Sequence, residues 1–468
     1  MYRITKNSEG KTITLKPVDK AEVDTHLNNM DAFSRNQIES SGFEPKFGKW
    51  IPIFNRDGVP EEIWVGTDSP PSDPRIAIQL FARLSDGLPK GHAYSVDAED
   101  WPEGLDWDQA ALGWGLAAYH FDHFREKKER RPGPFLVVPE SVDVNSLEAR
   151  LAAVFLARDL INLPPNVLGP KELCDRALEI GATHEASVTV TEGTDLLEQN
   201  YPAIYAVGKG SYREPALIDL RWGEESHPKL TLVGKGVIFD SGGLNLKPAG
   251  GMLLMKKDMG GAAVTLALAQ LIMARKLPVR LRLLIPAVEN SPGRFAYRPG
   301  DVIETRKGIS VEIGNTDAEG RIILCDALYD AATEKPDMII DMATLTGAAR
   351  IALGQDLPAF FTPDDQIARE LMQAASEVAD PVWRMPLWHP YRKMMDSRVA
   401  DINNVGNSAF AGSVTAALYL HEFVKPFRNW IHVDMYGWRN DHLPGAPKGG
   451  EANAIRALYR FLETRYRG

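Results

Sequence analysis

The chain predicts an α/β protein of two domains. The larger, C-terminal domain should have a mostly parallel or mixed central sheet flanked by helices, and a smaller, variable α/β domain should precede it. Three observations carry this expectation. At 468 residues the chain exceeds what one hydrophobic core ordinarily organises, and the length prior gives roughly two to four domains. Beyond residue 162, short apolar runs alternate with helix-length segments, the pattern of a largely parallel sheet covered on both faces. The charged run Arg125 to Arg131, ending in Pro132, Gly133 and Pro134, reads as an exposed linker. The expected boundaries are 1–131 for the N-terminal domain, 132–162 for linker and connecting helix, and 163–468 for the C-terminal domain.

In chain order, Trp50 to Phe54 and Glu62 to Gly66 read as strands around Asn55, Arg56, Asp57 and Gly58, which predicts a hairpin. Asp108 to Phe124 reads as a helix, with Asp108 placed to cap it and Leu112, Leu116 and Tyr119 at helical spacing. His120 and His123 are three apart within it and could be ligands. With no third ligand nearby, they read as an ordinary helix face. Ser146 to Ile161 predicts a long helix that Pro164 and Pro165 prevent from continuing. Strands are then expected at Ala186 to Thr191, Ala216 to Arg221, Lys229 to Phe239, Val279 to Pro286, Ile309 to Ile313, Met338 to Met342 and Trp430 to Met435. Helices are expected at Gly260 to Arg275, Ile322 to Ala332, Gln366 to Glu377, Val414 to Val424 and Glu451 to Thr464. In such sheets ligands bind at the carboxyl ends of the strands.

Apolar residues make up 44% and charged ones 25%, the balance of an ordinary soluble globular protein. No run approaches the roughly 18 apolar residues of a membrane span, and the N-terminus has no apolar stretch behind its charges. A cytoplasmic location without membrane partners is therefore expected. The two cysteines, Cys174 and Cys325, support neither a disulfide framework nor a Cys-based zinc site, and both read as buried thiols. With 53 Lys and Arg against 63 Asp and Glu, the net charge of -10 weighs against nucleic acid as a main partner.

Chemistry concentrates in a few motifs. In GNTDAEGR, Gly314 to Arg321, Asp317 and Glu319 sit two apart between a strand-like and a helix-like run, so both carboxylates should project from a loop. Carboxylate oxygens are hard metal ligands, and one alone rarely suffices, so further acids must converge. The plain alternative is a loop that caps the helix. Lys229 to Gly243 is an apolar strand interrupted by Gly234 and Gly236 and ended by Asp240, Ser241, Gly242 and Gly243. A glycine-rich turn can cradle phosphate, but no GKS or GKT follows, and Asp240 at the strand end is better placed as a metal bridge. Asp258 precedes the small-residue start of an apolar helix, where alone it would read as an N-cap. Together, Asp240, Asp258, Asp317 and Glu319 fall at loop edges of one expected sheet. Four buried acids without compensating charge are costly, and two divalent cations would neutralise them.

VGKGVIFDSGG, LNLKP, KKDMGGAA, GNTDAEGR and ATLTGAA, in this order and spacing, resemble the leucyl aminopeptidase family of dinuclear metallopeptidases. The resemblance runs from about Arg158 to the C-terminus and does not extend to the N-terminal domain, as expected of a family in which that domain varies. It implies a metal-dependent aminopeptidase with two divalent ions per subunit, Mn or Zn, with Mg and Co as alternatives. Asp240 and Glu319 would bridge the ions, Asp317 would bind one by side chain and backbone carbonyl, and Asp258 and Lys235 would complete the other. A lysine ligand must be unprotonated, which the field of two dications favours. A water between the metals would attack the scissile carbonyl, Lys247 would stabilise the oxyanion, and Arg321 would hold a bicarbonate ion as general base.

The pocket for the substrate's first side chain is implied to be lined by Met255, Thr344 and Gly347, with further wall from WIHVDMYGW. Relatives commonly carry a small Ala after this strand, in a pattern like HLDIAG. Tyr436 stands here instead and should reshape or shorten the pocket, away from a leucine preference. Peptide substrates and a homohexamer with sites facing an internal cavity also follow from the resemblance. The alternatives are another two-metal phosphoesterase or amidohydrolase, and a non-catalytic or nucleic-acid-binding scaffold. None of the ten His lies inside the acid motifs, against the first. All seven metal and catalytic positions are filled, against the second.

Overall fold

The computed structural model describes residues 2–7, 10–68, 75–126 and 133–467. The chain forms two compact units. One comprises Met1–Leu151 with Asp441–Lys448, the other Ala152–Asn440 with Gly449–Gly468. Of the charged run expected as a linker, residues 127–131 lie outside the described residues.

The first unit holds a six-stranded sheet in the order Ile4–Thr5, Phe135–Val137, Ala93–Val96, Ile13–Val18, Pro60–Gly66, Trp50–Phe54. All its pairings are parallel except the expected hairpin of Trp50–Phe54 with Pro60–Gly66. The helix expected over Asp108 to Phe124 is shorter, Trp107–Leu116, and Asp106 rather than Asp108 caps it, accepting from the backbone N–H groups of Asp108 and Gln109. Asp108 instead pairs with Arg150 at 2.5 Å. The helix ends where Ala118 N–H donates to Gly115 and Tyr119 N–H to Leu116, three-residue bonds that tighten the last turn and stop it. His120 and His123 therefore lie beyond the helix and form no helix face. His120 meets Arg3 at 3.3 Å and His123 packs edge-on against Phe124.

The second unit is organised by a nine-stranded mixed sheet. Its main order is Trp383–Arg384, Ala359–Phe361, Trp430–Asp434, Met338–Ala343, Lys229–Gly234, Arg280–Asn290, Ala216–Trp222, Ser187–Glu192, and Gly236–Asp240 pairs with Arg280–Asn290 off this path. The centre is parallel and antiparallel pairs lie toward both edges. All residues of Met338–Ala343 are buried, as in a parallel strand covered on both faces, including Asp341, which accepts from Trp430 Nε1 at 2.6 Å and meets His432 Nδ1 at 2.6 Å. Val233, Leu284 and Ile339 share a core with Ile323 and Leu324 of the helix Glu319–Thr333 and with Leu420 of Gly412–Val424. Their neighbours Leu232, Leu283 and Ile340 point to the opposite face by the strand's two-residue period and are equally buried. The helix Gly260–Ala274 packs on Lys229–Gly234 and Met338–Ala343. Cys174, inside the helix Pro170–Thr183, and Cys325 are both buried free thiols.

Two departures from the expected elements shape the site. The strand expected over Lys229 to Phe239 is two, Lys229–Gly234 and Gly236–Asp240, broken at Lys235. There the Lys235 N–H donates to the Met342 carbonyl at 3.0 Å and the Lys235 carbonyl accepts from Ala262 at 2.9 Å. The facing strand was expected to end at Pro286 but continues to Asn290. Val233 pairs with Leu284 and Gly236 with Ala287, so Pro286 falls opposite the break, where its missing N–H costs no bond to that neighbour.

Candidate metal centre and active site

The carboxyl ends of the central strands carry the site. Lys235 sits in the strand break, Asp240 ends Gly236–Asp240, and Asp258 lies in the short 3-10 turn Met255–Met259. The helix after that turn has no side-chain cap, so Asp258 does not serve as one. Asp317 lies in the 3-10 turn Thr316–Ala318, and Glu319 is the first residue of Glu319–Thr333. That helix starts three residues before the expected Ile322, so Glu319 projects from a regular element rather than a loop. An acid there also suits the positive helix end.

Asp240, Asp258 and Glu319 are buried, and Asp317 is partly exposed. One carboxylate oxygen each of Asp240, Asp317 and Glu319 lies within 4.8 Å of the others. Lys235 Nζ stands 2.8 Å from Asp258 Oδ2 and 2.9 Å from Glu319 Oε1, and donates to the Thr344 carbonyl at 3.1 Å. Lys247 Nζ lies 2.7 Å from Asp240 Oδ2 and 2.5 Å from Asp317 Oδ1. Two ammonium groups among four carboxylates leave the cluster short of positive charge. Burial and then the charge of Asp240 push the Glu319 carboxyl up to about 8, and burial and then Asp258 push Asp240 up to about 6. Burial alone would lower the Lys235 pKa, but Asp258 and Glu319 outweigh it and the ammonium form is held.

The donor set fits divalent cations. Asp258 Oδ2 and Asp317 Oδ1 are buried and face an ammonium at ion-pair distance, yet neither receives a hydrogen bond of proper geometry. Hard oxygen donors suit divalent ions such as Mn, Mg or Zn better than soft metals. The cavity above them, about 410 Å³, is lined by all five residues and by Lys247 and Arg321. Met255, Thr344, Gly347 and Tyr436 line the same cavity. Thr344 also donates from its hydroxyl to Asp258 Oδ1 at 2.8 Å, and Arg321 donates to the Asn404 carbonyl at 2.6 Å.

Several residues that hold this arrangement carried no sequence signal. Asn290, fully buried, donates from Nδ2 to Asp240 Oδ1 at 2.8 Å, to the Thr316 carbonyl at 3.0 Å and to Glu319 Oε2 at 3.4 Å. It ties three segments together, and only the longer course of its strand brings it there. Asn404 accepts from the N–H groups of Gly314 and Asn315 and donates to the Asn315 carbonyl, fixing the approach to Asp317. Tyr297 and the Thr316 hydroxyl brace the same turn, donating to the carbonyls of Thr316 and Gly242. Two glycines stand where a side chain would crowd the site, and for Gly242 the backbone itself requires glycine. Gly242 has φ +88, and a Cβ there would meet the Asn245 carbonyl at 2.3 Å. A Cβ on Gly320 would stand 2.7 Å from Lys235 Cε.

Acids converging at the carboxyl ends of parallel strands, inside an open cavity and interleaved with lysines, define a metal-dependent hydrolase on an α/β scaffold. Comparison with known proteins narrows the class. Residues 155–459 match the model of the cytosol aminopeptidase family, catalytic domain, and residues 13–139 that of the M17 aminopeptidase N-terminal domain. The likeness thus reaches the N-terminal part, where the motifs alone had not carried it. A probable cytosol aminopeptidase of Syntrophotalea carbinolica is 42% identical over 77% of this chain and 76% of its own. Peptidase B of Pectobacterium atrosepticum is 40% identical over 75% and 84%. The crystal structure of the Coxiella burnetii cytosol aminopeptidase superposes with a TM-score of 0.93 at 44% identity, covering 99% of both chains. The bottromycin maturation enzyme BotP in complex with Mn gives 0.87 at 31%, covering 98% and 100%. The chain belongs to the cytosol aminopeptidase family and is a metal-dependent aminopeptidase, a hydrolase acting on peptide bonds.

Gly320→Ala tests the crowding around Lys235. The new methyl displaces a flexible side-chain end, so the fold should survive with an unchanged circular dichroism spectrum. Meanwhile kcat/KM should fall on the order of 100-fold, the loss typical of a misplaced group. Retention of wild-type kcat/KM would refute the crowding.

Proposed function

We propose that Lys235, Asp240, Asp258, Asp317 and Glu319 hold two divalent cations, with Asp240 and Glu319 shared between them. The observation that carries this reading is the convergence of the Asp240, Asp317 and Glu319 oxygens within 4.8 Å, beside the separate Lys235, Asp258 and Glu319 contact. When bound, the ions supply an activated water, polarise the scissile carbonyl and anchor the free α-amine of the peptide. Lys235 could serve as a ligand only as the neutral amine, a form that its two carboxylates disfavour and that the field of a bound dication would favour.

Lys247, on the cavity wall and partly exposed, keeps its proton beside Asp240 and Asp317 and is placed to stabilise negative charge developing on the carbonyl oxygen. Arg321, a planar donor on the same wall, suits a bicarbonate ion that would act as general base. Met255, Thr344, Gly347 and Tyr436 form the pocket for the first side chain. Manganese or zinc is the favoured pair of metals, Mn being the ion in the BotP complex. The working particle is a homohexamer of cytoplasmic location, in line with the naming of the relatives as cytosol aminopeptidases. Among the described residues, no helix is long and apolar enough to cross a membrane.

Hydrolysis of Leu-p-nitroanilide should fall to background after dialysis against chelator and return on adding Mn or Zn. Activity that survives complete metal removal would sink the reading. Light scattering should give a mass of six chains, and a monomer or dimer that retains full activity would remove the hexamer. Tyr436→Ala should shift relative kcat/KM among Leu, Met and Ala substrates by about tenfold toward the larger side chains, as one or two methylenes in an apolar pocket allow. An unchanged profile removes the role of Tyr436.

A further inference from the structure

Two cations beside the metal centre have no part in the metal chemistry or in oxyanion stabilisation. Lys257 is only 6% exposed, yet among the described residues its ammonium makes no hydrogen bond and has no carboxylate at ion-pair distance, although Asp258 and Asp434 act on it through their charge, and the exposed guanidinium of Arg350 likewise makes no ion pair or hydrogen bond. Both rest against the same ring. Lys257 Nζ lies 4.9 Å and Arg350 Cζ 4.8 Å from the centroid of Tyr436. All three residues line the active-site cavity. The neighbouring Lys256 behaves differently, its Nζ donating to the Asn162 carbonyl at 2.6 Å.

The nearby acids are already engaged. Asp258 faces Lys235 and accepts from Thr344, and Asp434 accepts from the N–H groups of Leu345 and Thr346 and from the Thr346 hydroxyl. An aromatic face offsets part of the cost of burying a cation but supplies no hydrogen-bond acceptors. A carboxylate entering the cavity would supply them, with charge-assisted bonds from two donors of different shape.

We propose that Lys257 and Arg350 form a carboxylate-recognising wall of the first-side-chain pocket, so that the enzyme favours peptides beginning with Glu or Asp. This rests on the reading that Tyr436, which both cations touch, borders that pocket. Glutamine has nearly the shape of glutamate without its charge, so the Glu to Gln ratio isolates the wall from pocket size.

The test measures kcat/KM of the metal-loaded enzyme on Glu-, Gln- and Leu-p-nitroanilides. Glu should exceed Gln by at least about tenfold, and that ratio should collapse toward one in Arg350→Gln and in Lys257→Met, while Lys257→Arg keeps most of it. Because Lys257 lies in the same turn as Asp258 and next to it, the exposed Arg350 provides the independent variant. A Glu to Gln ratio near one in the wild type, or a ratio unmoved in both variants, overturns the proposal. A second arm compares Leu-Gly with its C-terminal amide. If the variants slow only the free acid, the carboxylate recognised is the peptide's own terminus and the proposal fails. Turnover of any of the three p-nitroanilides by the wild type reports separately on the aminopeptidase reading, which fails only if none is cleaved, whereas cleavage with a Glu to Gln ratio near one fails the carboxylate wall alone.

Discussion

Three buried carboxylates and a fourth at the rim cannot share one cavity unless positive charge joins them. That electrostatic demand orders the catalytic unit. Each acid deprived of water would take up a proton or repel its neighbours, at a cost well above the net stability of an ordinary domain were all four left bare. Lys235 and Lys247 meet part of the demand by standing between pairs of acids. In the proposed centre, divalent cations meet the remainder. The same balance explains why lysine, a weak ligand elsewhere, would be useful at this position in the proposed centre. It is a compact charge that can be neutralised by losing a proton.

The scaffold meets that demand through backbone rather than side-chain invention. A strand interrupted at one residue leaves Lys235 paired by its own N–H and carbonyl to Met342 and Ala262, so its backbone is rigid while its side chain reaches the acids. Pro286 opposite the break and the bare Cα of Gly320 leave room for that course. Asn290 then links the end of one strand to the turn that carries Asp317 and to the helix that begins at Glu319. With groups held this firmly, little rearrangement is needed when charge develops in the reaction.

Much of this was legible in the sequence because the relevant signals are local. Apolar runs between helix-length segments revealed the parallel sheet, Asn55 to Gly58 revealed the hairpin, and the acids stood beside glycines in recognisable motifs. What escaped was set by partners far away in the chain. Asp108 looks like a cap by composition, but Asp106 takes that place and Asp108 turns to Arg150. Lys229 to Phe239 reads as one strand because its break is dictated by contacts with residues 262 and 342. Asn290 and Asn404 have no motif at all, since an amide that braces a turn across nearly thirty or ninety positions leaves no local pattern. Lys257 and Arg350 were silent for the same reason. Only the fold brings them to one ring.

This cluster of acids and one lysine is the proposed seat of two ions. Counting metal per chain by mass spectrometry of the intact protein, after equilibration with manganese and removal of the excess, tests it most directly. Two ions per chain are expected in the wild type and fewer in Glu319→Gln, whose carboxylate both proposed seats would share. Absence of bound metal, or an equal count in the variant, would contradict it.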